Sequence, residues 1–488
     1  MRHHLIVILL LFSACNMYAW KSWPLPMDEA DTQADTLFYG ASLNGIFADT
    51  TTVFWLNSNT AGDVAQAQSN GILSLYAFKP ATRNHRWWDY SYGIKINGRI
   101  AGPESTFYGQ KATAYFQQLY AHCRLYIFDI TAGIKPLCTT FGNQQLSIGS
   151  LLFSNNAHPL PRITIGIDRW TAFPFLFGYM EIRGGISHLW ATTYNKDLTN
   201  PATTSDYFIH HKFLGARIGG KLPVRISYEF HHAAQWGGKS PTYGDLGNDI
   251  NAFKNIFLAR AGGSAAIETN NKQGNHLCMQ QLALELNFDA LHISAYWQAL
   301  QEDNPIKFIG TAMNRADGLW GINISQFYLP YFQTVTYEFL NTTEQSGPLH
   351  DVDGFIFGGR DNYYGHAIYT QGWTYLGRTI GNPLLSPTYN RVRAHHVAIN
   401  GDIHTFQYRF LCTHARYYKT YSEILSYNAS KQPAYNQTSL LLEVEKKIPQ
   451  AWGITFAAAI AADFYNNHTY SIGGRISMSK TFNYDFKK

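Results

Sequence analysis

The sequence predicts an all-β fold: a transmembrane antiparallel β-barrel of about eighteen strands, with short periplasmic turns, long extracellular loops and one short helix in a loop. Three observations carry this prediction. Polar and apolar residues alternate with period two, tight turns alternate with long connections, and aromatic residues abound where charges are scarce. The chain of 488 residues holds 32 Tyr, 31 Phe and 12 Trp, and only 15% of it is charged, against about 25% in a soluble protein. That balance excludes disorder, a coiled coil and a basic nucleic-acid binder. An apolar fraction of 45% and a mean hydropathy of −0.22 exclude a bundle of spanning helices, each of which needs about 20 consecutive apolar residues. A barrel survives this test, because strands with lipid on one face and a polar lumen on the other average to a soluble-looking value.

Residues 1–19 read as a secretory signal: Arg2, an apolar run from Leu5 to Phe12, then small and polar residues ending Met17-Tyr18-Ala19. Cleavage after Ala19 is the first reading, and lipidation at Cys15 within Phe12-Ser13-Ala14-Cys15 is the alternative. Residues 20–35 form an N-terminal segment, and 36–488 form one barrel in place of the two to four domains that length alone suggests. Cys123, Cys138, Cys278 and Cys412 lack metal-site spacing. Cys123 and Cys138 either pair or stand as isolated thiols.

Strands are expected near 36–47, 71–79, 88–100, 112–125, 128–136, 162–169, 178–190, 207–220, 224–235, 276–288, 291–300, 319–329, 332–340, 394–400, 403–414, 438–447, 451–463 and 471–486. The clearest puts Val224, Ile226, Tyr228 and Phe230 on one face and Arg225, Ser227, Glu229, His231 and Gln235 on the other. Tight turns are expected at Asp289-Ala290, Leu329-Pro330-Tyr331, Gly401-Asp402 and Ile448-Pro449-Gln450. They fall at every second connection, and the long ones (190–206, 236–275, 301–318, 341–393 and 416–437) face outward from the cell. The last strand ends in Phe482, Tyr484 and Phe486, the terminal aromatics of an outer-membrane strand. In the 236–275 loop Asp249 is a helix N-cap, with Phe253, Ile256 and Phe257 as an apolar stripe before Gly262-Gly263. This helix either folds inward to narrow the mouth or packs on neighbouring loops.

Several segments together resemble the capsule assembly Wzi family of outer-membrane proteins, in the form common in Bacteroidetes-like bacteria. They are Phe54-Trp55-Leu56-Asn57-Ser58-Asn59, Gln117-Gln118-Leu119-Tyr120-Ala121, Asn156-Ala157-His158-Pro159-Leu160-Pro161 and Phe230 through Gly238. The most specific block runs from Gly359-Arg360-Asp361-Asn362-Tyr363-Tyr364 through Gly372-Trp373-Thr374-Tyr375 to Arg378-Thr379-Ile380-Gly381-Asn382-Pro383-Leu384. The resemblance implies an eighteen-stranded barrel that acts as a lectin for capsular or exopolysaccharide and has no enzymatic step. It also implies a setting of outer-membrane lipid and lipopolysaccharide, insertion by the barrel-assembly machinery, and no nucleic-acid partner. Enterobacterial members carry helical material near the N-terminus. Residues 20–35 are too few and too polar to supply it, so the resemblance does not say whether the lumen is open or plugged, or by what. A porin or specific diffusion channel is the alternative function.

The main candidate for ligand contact is the 341–393 loop, with His350, Asp351, Asp353, Arg360, Asp361, His366, Trp373, Tyr375, Arg378 and Asn382 among many glycines; Trp236 opens the other long loop. Sugars offer an apolar face to Trp or Tyr, and hydroxyls or carboxylates to Asn, Asp and Arg. The competing reading of Arg360, Asp361 and Arg378 is an internal network that orders the loop. Arg225, Glu229, His231 and Gln235, with Glu285, Glu338, Arg409, Glu443 and Glu445, offer a polar lumen whose members either pair across strands or line a path. His210-His211, His231-His232 and His395-His396 are adjacent on strands and point to opposite faces, so no such pair chelates one ion. Neither metal nor cofactor is expected. No G-x-S-x-G signature appears, and the chain is not expected to be an enzyme.

Overall fold

Period-two alternation becomes a closed wall. A computed structural model describes residues 35–50, 53–82, 87–102, 112–191, 203–263, 272–302, 317–326, 328–345, 347, 350–353, 355–357, 361–423 and 431–486. The signal segment 1–19, nearly all of 20–35, and Arg360 lie outside the described residues. Eighteen antiparallel strands form one sheet: β1 (Thr36–Ala48), β2 (Ser69–Lys79), β3 (Trp88–Ala101), β4 (Ala112–Leu125), β5 (Phe128–Ile134), β6 (Pro161–Ala172), β7 (Met180–Ala191), β8 (Tyr207–Ile218) and β9 (Val224–Trp236). They continue as β10 (Asn275–Phe288), β11 (Leu291–Glu302), β12 (Gly318–Gln326), β13 (Thr334–Asn341), β14 (Arg391–Ile403), β15 (Phe406–Tyr418), β16 (Tyr435–Ile448), β17 (Ile454–Tyr465) and β18 (Tyr470–Asp485). Each strand pairs with the next, and β1 pairs with β18 from Thr36↔Asp485 to Ala48↔Gly473, which closes the barrel and leaves no edge. Both ends of the sheet sit on the short-turn side.

The outward face is apolar and exposed: Leu43, Leu73, Leu75, Ile226, Leu284, Leu442 and Ile460 all point there. Trp87, Trp88, Tyr126, Phe175, Tyr328, Tyr331 and Trp452 crowd the short-turn end as an aromatic girdle. This is a transmembrane barrel of the outer-membrane type. The main cluster of buried apolar residues lies inside it, where Leu146, Ile148, Leu151, Leu152, Phe153, Tyr363, Tyr364 and Trp373 join inward wall residues.

Two expectations change. The turn expected at Gly401-Asp402 falls at His404, whose φ is 57°, because β14 continues to Ile403. Gly401 serves the strand, since a Cβ there would stand 2.3 Å from the Tyr331 carbonyl oxygen of the neighbouring turn. The loop helix forms as Ile250–Leu258, capped by Asp249, which accepts the Ala252 amide at 2.8 Å. It neither narrows the mouth nor merely packs on loops. Its buried Ala252 and Ile256 lie with Ala234 and Trp236, residues on the outward face of β9, so it covers the outside of the wall. Cys123 and Cys138 do not bridge.

The outward band gives the first prediction. Ile460 is 54% exposed in mid-strand, opposite Leu442, so Ile460→Arg lowers barrel stability by about 2–4 kcal/mol. Equilibrium folding into lipid bilayers measures the change, and an unchanged midpoint would place this face outside the membrane.

Candidate functional site

The inward faces carry polar groups because alternation sends them there. Some of these groups pair across strands. Arg409 holds Glu443 at 2.6 Å and Arg475 also donates to that carboxylate. Arg217 meets Glu181 at 2.7 Å, and Arg124 and His122 meet Asp129 at 2.7 and 2.8 Å. Of the sequence-predicted lumen residues, Glu229 accepts from Arg183, from His231 at 3.1 Å and from Gln281 at 2.7 Å. Arg225 donates to the Gly220 carbonyl at 3.0 Å.

Other inward groups face segments that enter from the long-loop end. The connection between β5 and β6 descends into the lumen, where Glu338 on β13 accepts Ser147 Oγ and the Ile148 amide, both at 2.7 Å. Gln298 accepts the Leu151 amide at 3.1 Å and donates to Thr139 O at 3.0 Å. His396 Nε2 donates to Leu146 O at 2.7 Å, and Arg409 donates to Gln145 O at 3.0 Å. The β1–β2 connection enters beside it: Asp463 accepts the Phe54 amide at 2.8 Å, and Asp63 accepts Asn97 at 2.7 Å and Lys95 at 3.1 Å. The 361–390 stretch completes the filling, with Gln235 donating to Gly372 O at 3.0 Å. Gly372 turns at φ 67°, and a Cβ there would meet Tyr364 O at 2.0 Å. These segments pack on one another, closing a plug from the inside of the wall.

The plug absorbs most of the sequence-predicted ligand residues. Trp373 is fully buried and donates its indole N–H to Leu152 O at 2.8 Å. Asn382, also fully buried, donates to Gly149 O at 2.6 Å. Arg378 donates to Asn57 O at 2.9 Å, Asn57 Oδ1 at 3.2 Å and Val64 O at 2.6 Å. Burial and the nearby Arg99 cation lower its guanidinium to about 10, still charged at neutral pH. Tyr375 is buried in the same core. His366 is half-buried and accepts the Ile368 and Tyr369 amides at 3.2 and 3.3 Å; burial lowers it to about 4. Asp361 stands partly exposed at the start of the stretch. A glycan cannot stack on a buried indole or reach buried Asn382 and Arg378, so these side chains hold the plug together. Trp236 is likewise buried, on the outer wall. His350, Asp351 and Asp353 stay at the surface in a small hairpin, His350–Val352 with Phe355–Phe357.

What the plug leaves at the outer mouth is a group of tyrosines that sequence reasoning missed. Tyr417 ends β15, Tyr435 begins β16, and Tyr389 closes the plug segment. Tyr417 and Tyr435 are opposed in register and stack at 4.5 Å and 15°. Tyr389, 38% exposed, meets Tyr435 edge-on at 5.5 Å and Tyr417 at 6.4 Å. Tyr465 ends β17 opposite Gln437, two positions from Tyr435 and on the same inward face. Asp49, exposed, accepts the Ile472 amide at 2.9 Å beside this rim, and Asn466, Asn467 and His468 are exposed in the adjoining turn. An exposed aromatic face bordered by amide and carboxylate groups suits a sugar ring. The sequence signal was the placement of tyrosines at consecutive strand ends on one side.

A family model, described as capsule assembly protein Wzi, matches residues 34–387. No curated protein matches the chain. Among solved structures, the chain is similar to Wzi of Escherichia coli, described as an outer-membrane protein involved in group 1 capsule assembly and a carbohydrate-binding β-barrel. The TM-score is 0.56 at 13% identity, covering 92% of this chain and 85% of that one, which shows a shared fold. Weaker likenesses are to the Pseudomonas aeruginosa outer-membrane proteins OpdK (TM-score 0.47, 8% identity, 92% of this chain and 99% of that one) and OccD3 (TM-score 0.45, 9% identity, 96% and 98%).

Two outcomes follow from the plug. Trp373→Ala removes a fully buried indole and costs about 3–5 kcal/mol, seen as an earlier heat-induced shift in electrophoretic mobility; an unshifted transition would mean that the plug does not support the barrel. The lowered His366 keeps its imidazole neutral in the folded state, so its stabilising contribution is complete above about pH 6.5 and is lost as pH falls towards 4. Amide exchange at Ile368 and Tyr369, corrected for intrinsic rate, should be faster at pH 5 than at pH 7, and this excess should vanish in His366→Asn.

Proposed function

Because the chain belongs to the capsule assembly protein Wzi family, we propose that it binds the cell's own capsular or exopolysaccharide at the outer mouth, lectin-like, and assists assembly and attachment of that polymer without catalysing a reaction. The observation that carries this reading is the tyrosine rim above a filled lumen, with Tyr389 exposed to solvent. The C–H face of a pyranose stacks on Tyr389, which the stacked Tyr417–Tyr435 pair holds in place. Sugar hydroxyls then find acceptors and donors in Asp49 and Asn466. The plug supports binding over passage, since it occupies the path that a diffusion channel would keep open. Lipopolysaccharide and outer-membrane lipid form the surroundings of the barrel, and barrel-assembly machinery inserts it.

The test pairs two measurements on detergent-purified protein. Surface polysaccharide from the host should bind, and Tyr389→Ala should weaken binding about tenfold, the value of one aromatic contact. In planar bilayers the wild type should show no steady conductance. Steady ohmic conductance without polysaccharide binding would favour the channel reading instead.

A further inference from the structure

The wall beneath the loop helix Ile250–Leu258 (α1 below) carries a buried cluster of polar side chains on its outward face. His210 and Lys212 on β8, His232 on β9 and His276 on β10 all occupy outward, lipid-facing positions. The registers His210↔Ala234, Lys212↔His232 and Cys278↔His232 place them side by side. Polar side chains there are costly in contact with acyl chains. Among themselves they are partly satisfied: His232 and His276 stack at 5.1 Å with their ring nitrogens 2.8 Å apart, and His276 donates to Gln273 O at 2.7 Å. α1 supplies the rest of the cover. Phe253 meets His210 at 5.5 Å and Trp236 at 5.6 Å, and Phe257 meets His210 at 5.3 Å. Lys212 lies 4.0 Å over the Phe257 ring and donates to the Phe257 carbonyl, so a cation sits at the negative end of the helix.

Covering the wall turns the other side of α1 towards the space that lipid occupies around the remaining strands. That side presents Ile250, 65% exposed, Lys254, and Leu258, 46% exposed, at helical spacing, followed by exposed Arg260. Residues 250–260 carry two cations and no acid. Strands of 12 to 14 residues here rise about 30–35 Å at a tilt near 40°, against an apolar band of about 25 Å. The footprint of α1 lies within about five residues of the outer rim, where acyl chains give way to headgroups. An amphipathic helix at that level, with apolar residues and cations on its free side, has the composition of an interfacial lipid-binding helix.

We propose that α1 forms a docking surface for the phosphorylated glycolipid of the outer leaflet, with Ile250 and Leu258 against its acyl chains and Lys254 and Arg260 on its phosphates. The helix is thus a collar on the outside of the barrel and fixes the depth and tilt of the wall next to the long outer loops. This surface is separate from the tyrosine rim and does not depend on polysaccharide binding.

The experiment uses the full chain in phosphatidylcholine nanodiscs, titrated with lipid A, with dephosphorylated lipid A and with phosphatidylglycerol, and read by native mass spectrometry. Lipid A should bind the wild type, and Lys254→Gln/Arg260→Gln should bind it about thirtyfold more weakly, the effect of two surface cations. Dephosphorylated lipid A and phosphatidylglycerol should bind poorly to both. Both substitutions are at exposed positions, and unchanged heat-modifiable migration shows that the variant is folded. Equal lipid A binding by the folded variant would overturn the proposal, as would equal binding of dephosphorylated lipid A. Equal binding of phosphatidylglycerol would assign the surface to anionic lipid in general and overturn the glycolipid assignment.

Discussion

A barrel of eighteen strands encloses more space than its own inward side chains can fill, since barrels of this size otherwise leave an aqueous channel. Everything inside this protein answers to that mismatch. Segments between β1 and β2, between β5 and β6 and between β13 and β14 fold back through the outer mouth and bring an apolar core of their own, Trp55, Leu146, Phe153, Tyr364 and Trp373 among it. Inserted backbone carries amides and carbonyls that can no longer reach bulk water, and leaving one unpaired costs about as much as a lost hydrogen bond. The inward wall residues therefore act as receptors for loop backbone: Glu338 for Ile148, Gln298 for Leu151, Asp463 for Phe54 and Gln235 for Gly372.

The charges follow from the same requirement. A buried carboxylate is tolerable only when hydrogen bonds replace its water, and Glu338 receives them from Ser147, Ile148 and Tyr296. Arg378 is the converse, a plug cation whose lost hydration is replaced by the oxygens of Asn57 and Val64. Glu338 ties plug to wall and Arg378 ties plug segment to plug segment. Substituting either leaves several partners unpaired at once, so the plug behaves as one cooperative unit.

The wall was legible in the sequence because its signal is local: each strand carries its own alternation, and Val224 to Gln235 can be read without knowing its neighbours. The plug was not legible, because burial inside a lumen leaves no periodicity. Trp373, Arg378 and Asn382 sit in a glycine-rich loop with the composition of a sugar site, and only the long-range contacts with Leu152, Asn57 and Gly149 show that they face protein. The segments that carry the family resemblance, Phe54–Asn59, Asn156–Pro161 and Gly372–Leu384, converge in that interior. The resemblance therefore reports how the lumen is filled more than what the mouth holds. For the helix, the apolar stripe announced that one face is covered but not by what. The clue lay on the strands, in His210, Lys212, His232 and His276 at positions where a lipid-facing wall should be apolar.

The two faces of one rim follow from strand geometry. On β9, His231 points inward to Glu229, while His232, one residue on, points outward to His276 beneath the helix. A register shift of one residue would exchange them, placing an imidazole pair in the plug and exposing the glutamate network to lipid. The match between plug, wall and helix thus pins the register of β8 to β10 from both sides. It also lets the same few residues of rim serve separate neighbours, with Tyr389 and Tyr435 turned over the lumen and Lys254 and Arg260 turned to the membrane. A barrel without the plug would lose the inner constraint, and its tyrosine rim would surround a hole in place of a floor.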